Sequence, residues 1–156
     1  MIVAFIGHRY TDITPQLKTR LLETIESLIV NEKADTFLFG SKSEFNDICY
    51  ETVTLLKNKY PHIKRIYVRG EYEYIHDDYR NYLLTLYEDT FYPVEVHNAG
   101  YRAYVKRNKV MIDMCDKLVV YYNERYRLKN RASGTEISVE YAAKKKKPIC
   151  NIFKEL

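Results

Sequence analysis

Ser133-Gly134-Thr135 stands at the head of a helical run near the end of the chain. Two hydroxyls and the first N–H groups of a helix form a cradle for an anion. The same three residues also make an ordinary helix cap, which is the commoner use of such a sequence. Glu136 and Glu140 follow, four apart on one helical face. A carboxylate there can accept ribose hydroxyls, act as nucleophile or base on a sugar, or belong to a plain helix surface.

Three other stretches invite the same question. Gly7-His8-Arg9 directly follows an apolar run. Gly7 permits close approach of a ligand, and the planar fork of Arg9 suits a phosphate. The plainer reading is a tight turn with two exposed polar side chains, and His8 has no visible catalytic partner. Gly40-Ser41 opens a second helix, whose free N–H groups and dipole attract an anion. Ser41 and Glu44 have capping-box spacing and can satisfy those donors themselves. Glu51, two turns beyond Glu44, suits a surface position equally well. Arg107-Asn108 falls inside a third helical run, with Asn108 on its apolar stripe. A buried amide needs partners, so Asn108 is either a satisfied core residue or a ligand contact, the first slightly favoured.

These residues need a scaffold, and hydrophobic patterning supplies one. "IVAFI" (2–6) and "TFLF" (36–39) are continuous apolar runs, each ended by glycine, as strands buried on both faces are. "KRIYV" (64–68), "KLVVYY" (117–122) and the stretch 148–152 read as further strands, and "PVEV" as a short one. Helices are expected from Thr14-Pro15 onward, with Thr14 as cap and Pro15 at the first position. Others are expected after Ser41 as far as Tyr60-Pro61, around 77–87, over 101–115 and from 133 to about 146. Tyr104, Asn108, Met111, Ile112 and Cys115 share the buried stripe of the helix over 101–115. Asp113 and Asp116 cap and solvate its end. The segment 69–92 is tyrosine-rich and acidic. Its tyrosines, at 72, 74, 79, 82 and 87, suit stacking on a base, a lid, or an interface. Strand and helix alternate throughout, which predicts an α/β fold: a Rossmann-like, doubly wound, mostly parallel sheet with helices on both faces. Ligands in such folds sit beyond the carboxyl ends of the strands, at the switch point. The turns named above fall there.

The 156 residues suit one domain spanning 1–156. With 46% hydrophobic and 29% charged residues, the chain should be globular rather than disordered. The net charge of +4 is matched by one run, Lys144 to Lys147. That run complements a helix C-terminus, so the charge argues weakly for nucleic acid as partner. Cys49, Cys115 and Cys150 lie in apolar stretches without metal-ligand spacing, which suits reduced thiols, a cytoplasmic setting and no metal. The opening "MIVAFI" is too short for a signal peptide or a membrane span.

Taken together the segments resemble the YpsA-like branch of the SLOG superfamily, related to the Lonely Guy phosphoribohydrolases and the DNA-processing protein DprA. "FIGHR" resembles its opening strand and turn, and "FLFGSKSEFNDICYETVTLLKNKYPHIK" its second strand and helix. "YVKRNKVMIDMCDKLVVYYN" resembles its Arg-Asn helix and next strand, and "SGTEISVEYAAKKKKPICNI" its Gly-Gly-Thr turn, Val-Glu-Tyr-Ala helix and last strand. The four occur in the family's order and span nearly the whole chain. The resemblance implies a cytoplasmic protein that binds a nucleotide or nucleotide derivative without a further cofactor, and a homo-oligomer. It implies a pocket lined by Gly7, His8, Arg9, Gly40, Ser41, Asn46, Glu51, Arg107, Asn108, Ser133, Gly134 and Thr135. Glu140 matches the glutamate of the Val-Glu-Tyr-Ala segment and is catalytic only if the protein is an enzyme. The chain departs from the family where Gly40, Ser41 and Asn46 replace two glycines and an aspartate, and where Ser133-Gly134 replaces a double glycine. Ser138 stands where Lonely Guy enzymes carry a glutamate. These departures favour a binding protein, a sensor or sequestering module, over the alternative of an N-glycosidic hydrolase or transferase. A DprA-like nucleic-acid binder is a third reading.

Overall fold

The computed structural model describes residues 1–40, 42–70, 76–126 and 128–155, with residue 155 described by its backbone alone. Six strands form one parallel sheet: β1 (Ile2–Gly7), β2 (Thr36–Phe39), β3 (Lys64–Val68), β4 (Asp89–Phe91), β5 (Lys117–Tyr121) and β6 (Ile149–Asn151). Their order is β4-β3-β2-β1-β5-β6. The chain adds strands outward from β1 to β4, then returns to lay β5 against the other side of β1. The switch point is therefore the β1–β5 boundary, where Val3 to Gly7 pair with Lys117 to Tyr121.

The helices divide between the two faces. On one lie α1 (Pro15–Glu32), α2 (Glu44–Lys57) and α3 (Asp77–Leu83). Their Leu17, Leu21, Ile25, Phe45, Cys49, Val53 and Leu83 pack on Phe5, Phe37 and Phe39 of the sheet. On the other lie α4 (Ala103–Met114) and α5 (Gly134–Lys144). Their Met111, Ile112 and Ala142 pack on Ala4, Ile6, Leu38, Leu118 and Val120. Alternate residues of β1 thus face opposite cores, which is why that strand reads as apolar without a break. Each buried Leu, Ile or Phe contributes about 1.5–3 kcal/mol relative to exposure.

The helix starts follow their local chemistry. Thr14 Oγ1 accepts the Leu17 N–H at 3.1 Å, and Pro15 is the first residue of α1. In α2 the cap is Ser43, not Ser41: its Oγ accepts the Asn46 N–H at 3.0 Å. Glu44 is then inside the helix, and its carboxylate accepts the Thr11 N–H at 2.7 Å. Ser41 itself, like Tyr72 and Tyr74, lies outside the described residues.

Four expectations are corrected. "PVEV" is not a strand; Val94–Val96 form a 3-10 turn, because Pro93 leads into it and the Val96 N–H bonds back to the Pro93 carbonyl. The strand of this region is β4, "DTF", whose Thr90 pairs with Tyr67. Tyr104 is not on the buried stripe but 49% exposed, and Arg107 lies inside at 2%. The helix expected over 101–115 begins as a 3-10 turn at Gly100–Arg102 and becomes α4 at Ala103. Asp113 and Asp116 do not cap α4, whose C-cap is Cys115; they tie its end to α5 and β1. Asp113 accepts the Tyr141 hydroxyl at 2.8 Å, and Asp116 accepts the Ile2 N–H at 2.7 Å.

Candidate functional site

β1 ends in Gly7, Gly40 directly follows β2, and Gly70 lies two residues beyond β3; packing forces the first two and crowds the third. A Cβ on Gly7 would lie 2.4 Å from Phe45 Cδ2. On Gly40 it would lie 2.7 Å from Arg107 Cδ and 2.9 Å from the Val68 carbonyl oxygen. On Gly70 it would lie 2.7 Å from Arg107 Nη1. The strand ends are thus kept bare so that α2 can close on β1 and the Arg107 side chain can cross over β2 and β3.

Arg107 is the centre of the arrangement. It reaches from α4 across the carboxyl end of β2, donates through Nη1 to the Gly40 carbonyl, and donates through Nε to Asn108 Oδ1 at 2.9 Å. These two acceptors are neutral oxygens. The guanidinium carbon lies 5.6 Å from the centre of the Tyr104 ring. Asn108 continues the chain of bonds. Its Nδ2 donates to Ser138 Oγ at 3.3 Å, and Ser138 donates to the Gly134 carbonyl at 2.8 Å. Asn108 is therefore both a satisfied core amide and the link between α4 and the first turn of α5. Gly40 is held from its other side as well, its N–H donating to Asn46 Oδ1 at 3.3 Å.

The first turn of α5 has Ser133 as its cap, with Oγ accepting the Glu136 N–H at 3.0 Å. Ser133 and Thr135 are buried. The Gly134 and Thr135 N–H groups precede the ladder of the helix itself. Gly134 differs from the forced glycines. A Cβ there would meet nothing within 4 Å, and its φ is not positive. Neither packing nor backbone requires glycine at the head of this helix.

The turn after β1 is tied down from both sides. The Glu44 N–H donates to the Arg9 carbonyl at 2.9 Å, while the Arg9 side chain is exposed. The His8 N–H continues the pairing with β5 by donating to the Tyr121 carbonyl at 3.2 Å. The His8 side chain is buried, with Nε2 accepting the Asn123 N–H at 2.9 Å.

The remaining expected residues stand apart from this network. Glu51 is exposed on α2, beside Asp47. Burial raises the Asp47 pKa, and the Glu51 charge adds to it. Glu140 is exposed on α5. At 100° per residue it lies about 140° around the helix from Thr135 and about 160° from Ser138, away from the buried side. Of the tyrosines, Tyr87 is packed against Tyr50, Tyr67 and Phe39, and burial pushes its hydroxyl well above the usual range. Tyr82 is exposed.

One residue of the region was not expected from the sequence. Arg69, at 6% exposure, follows β3 and precedes Gly70, with its guanidinium carbon 5.9 Å from the Tyr92 ring centre. The signal was present: "VRG" repeats the strand-then-glycine pattern of "FIG" and "FLFG".

A cavity of about 740 Å³ lies elsewhere, along the β6 edge, between Lys117, Val139, Pro148, Ile149 and Lys154. It touches none of Gly7, Gly40, Arg107 or Gly134. Its walls are an open sheet edge and a Lys154–Glu124 pair at 2.7 Å, each partner about 60% exposed. The switch point, with its converging buried polar groups, has the stronger claim to function. Among the described residues no group of His, Cys, Asp and Glu could hold a metal ion, and no helix is long and apolar enough to cross a membrane. No protein-family model matches the chain, and no curated protein matches it.

Proposed function

We propose that this protein binds a nucleotide or nucleotide derivative at the carboxyl end of its sheet, as a SLOG-type binding module. The observation that carries the reading is the unforced Gly134. Neither packing nor backbone calls for glycine there, and the space in front of the helix head is open to a partner. The neighbouring N–H groups and helix dipole favour an anion. Arg107, one bond-chain away through Asn108 and Ser138, brings a buried positive charge to the same crevice. A phosphate at Gly134-Thr135 with the nucleoside extending toward Gly40 and the β1 turn uses every element of the network.

The enzymatic alternative asks for a carboxylate against the sugar. Glu140, on the exposed face of α5, gives it little support, so binding without turnover is the reading adopted. Calorimetric titration with AMP, GMP, CMP, UMP and ADP-ribose tests it. At least one should bind, and nucleoside monophosphates should remain intact over hours. No binding across the panel would overturn the reading. Release of free base, lost on Glu140→Gln, would replace it with the enzyme.

A further inference from the structure

The His8 ring carries a hydrogen-bonding group that the fold leaves unused. His8 is 5% exposed. Its Nε2 accepts the Asn123 N–H, and an accepting ring nitrogen bears no proton. Burial holds the imidazole pKa below its ordinary value, so the ring is neutral at pH 7 and its one proton is on Nδ1. Nδ1 is buried and has no hydrogen-bond partner. Leaving a buried donor unsatisfied costs about 1–3 kcal/mol, and native proteins rarely tolerate it without a reason.

The location supplies the reason. His8 follows β1 at the β1–β5 switch point, and its backbone bond to Tyr121 and ring bond to Asn123 fix the imidazole in place. The Tyr122 and Tyr126 ring centres lie 5.7 and 4.6 Å from its own. Tyr126 is 40% exposed and stands in the loop after β5. The imidazole therefore lies against an aromatic ring that is itself partly in solvent.

We propose that His8 Nδ1–H is the donor reserved for an acceptor oxygen of the bound nucleotide, reached when the Tyr126 ring turns aside. This rests on the nucleotide-binding reading above. The acceptor is a phosphate or a ribose oxygen, both of which present the same lone pairs.

Two substitutions separate the two ring nitrogens. His8→Gln places a carbonyl oxygen near Nε2, which keeps the Asn123 bond, and offers no donor at Nδ1. His8→Asn places its amide near Nδ1 and gives up the Nε2 acceptor. Each is titrated with the tightest-binding nucleotide of the panel and with its nucleoside, and unfolded in urea. His8→Gln should unfold at the wild-type midpoint yet bind the nucleotide about tenfold more weakly, while His8→Asn loses stability but retains more of the affinity. If nucleoside binding is unchanged by His8→Gln, the acceptor is the phosphate; if it falls equally, the acceptor is the ribose. Long-range ¹H–¹⁵N spectra of the wild type should show the Nδ1–H tautomer, with the proton moving downfield on nucleotide binding. Wild-type affinity in His8→Gln, or an Nδ1 proton unmoved by nucleotide because a buried water holds it, overturns this inference alone. A wild type that binds no member of the panel overturns the inference and the binding reading together.

Discussion

Gly134→Ala should make the protein more stable and less able to bind. The added methyl meets nothing within 4 Å, and the backbone there is not in the left-handed region. Alanine is better than glycine in a helix, and it also restricts the unfolded chain. Together these contribute about 0.4–1 kcal/mol. For a chain of this length 1 kcal/mol moves the melting temperature by about 2–4 °C, so the expected rise is about 1–4 °C. The same methyl occupies the space a phosphate needs against the α5 N–H groups. Losing even one charge-assisted hydrogen bond there costs about 1.5–3 kcal/mol, so affinity should fall at least tenfold. Differential scanning calorimetry measures the first effect and isothermal titration with the tightest-binding nucleotide the second. The opposite signs are the point. A variant that melts lower would show that the protein itself requires the glycine. A variant that binds as wild type would show that the open space at the helix head is idle.

Gly7→Ala should do the reverse in stability. Its Cβ would lie 2.4–2.7 Å from three atoms of fully buried Phe45, and overpacking of this kind costs about 3 kcal/mol, a fall of about 6–12 °C in melting temperature. Arg107→Met should weaken nucleotide binding at least tenfold, since a charge at the crevice is lost. Lys145→Ala, on the exposed end of α5, should leave binding unchanged. Equal losses would mark a diffuse basic surface and point to nucleic acid. The acid limb of stability should depend on Glu88. Burial works to raise its pKa, but hydrogen bonds from Arg65 and Lys57 outweigh this and hold it below the ordinary value. A depressed carboxylate stabilises the fold fully above its unfolded pKa of about 4.3, and that contribution is lost as pH falls through the lower folded value. In urea titrations Glu88→Gln should therefore lower stability at pH 7 and flatten its decline below about pH 4.

Much of this fold is written in apolar runs. β1, β2 and β5 are buried on both faces, so each had to be a continuous hydrophobic stretch, and their parallel packing follows from the helices between them. β4 was hidden because an edge strand of three residues, "DTF", needs only one buried side chain, Thr90. "PVEV" alternates as a strand does, yet its valines belong to a 3-10 turn, and periodicity over four residues does not separate the two. The helix α4 misled in a more informative way. Its apolar pattern put Tyr104 inside and ignored Arg107, whereas the fold buries the arginine by giving it the Gly40 carbonyl and the Asn108 amide. Sequence patterning ranks arginine as a surface residue, so a buried one is visible only through the glycines that make way for it. Ser43 caps α2, and propensity alone does not separate it from Ser41, since both are serines; the helix so started places Glu44 in its first turn, where it accepts the Thr11 N–H.

A nucleotide at the β1–β5 switch point, with its phosphate on the head of α5, would be read directly by the amides that line it. Titration of the ¹⁵N-labelled protein with the tightest-binding nucleotide, followed residue by residue in ¹H–¹⁵N spectra, tests this placement most directly. Saturable shifts are expected in the Gly134, Thr135 and Glu136 amides, the Gly40 amide and the Asn108 side-chain amide, with the β6 edge unmoved. Shifts concentrated at Ile149, Cys150 and Asn151 along β6, with α5 and Gly40 unmoved, would contradict this placement.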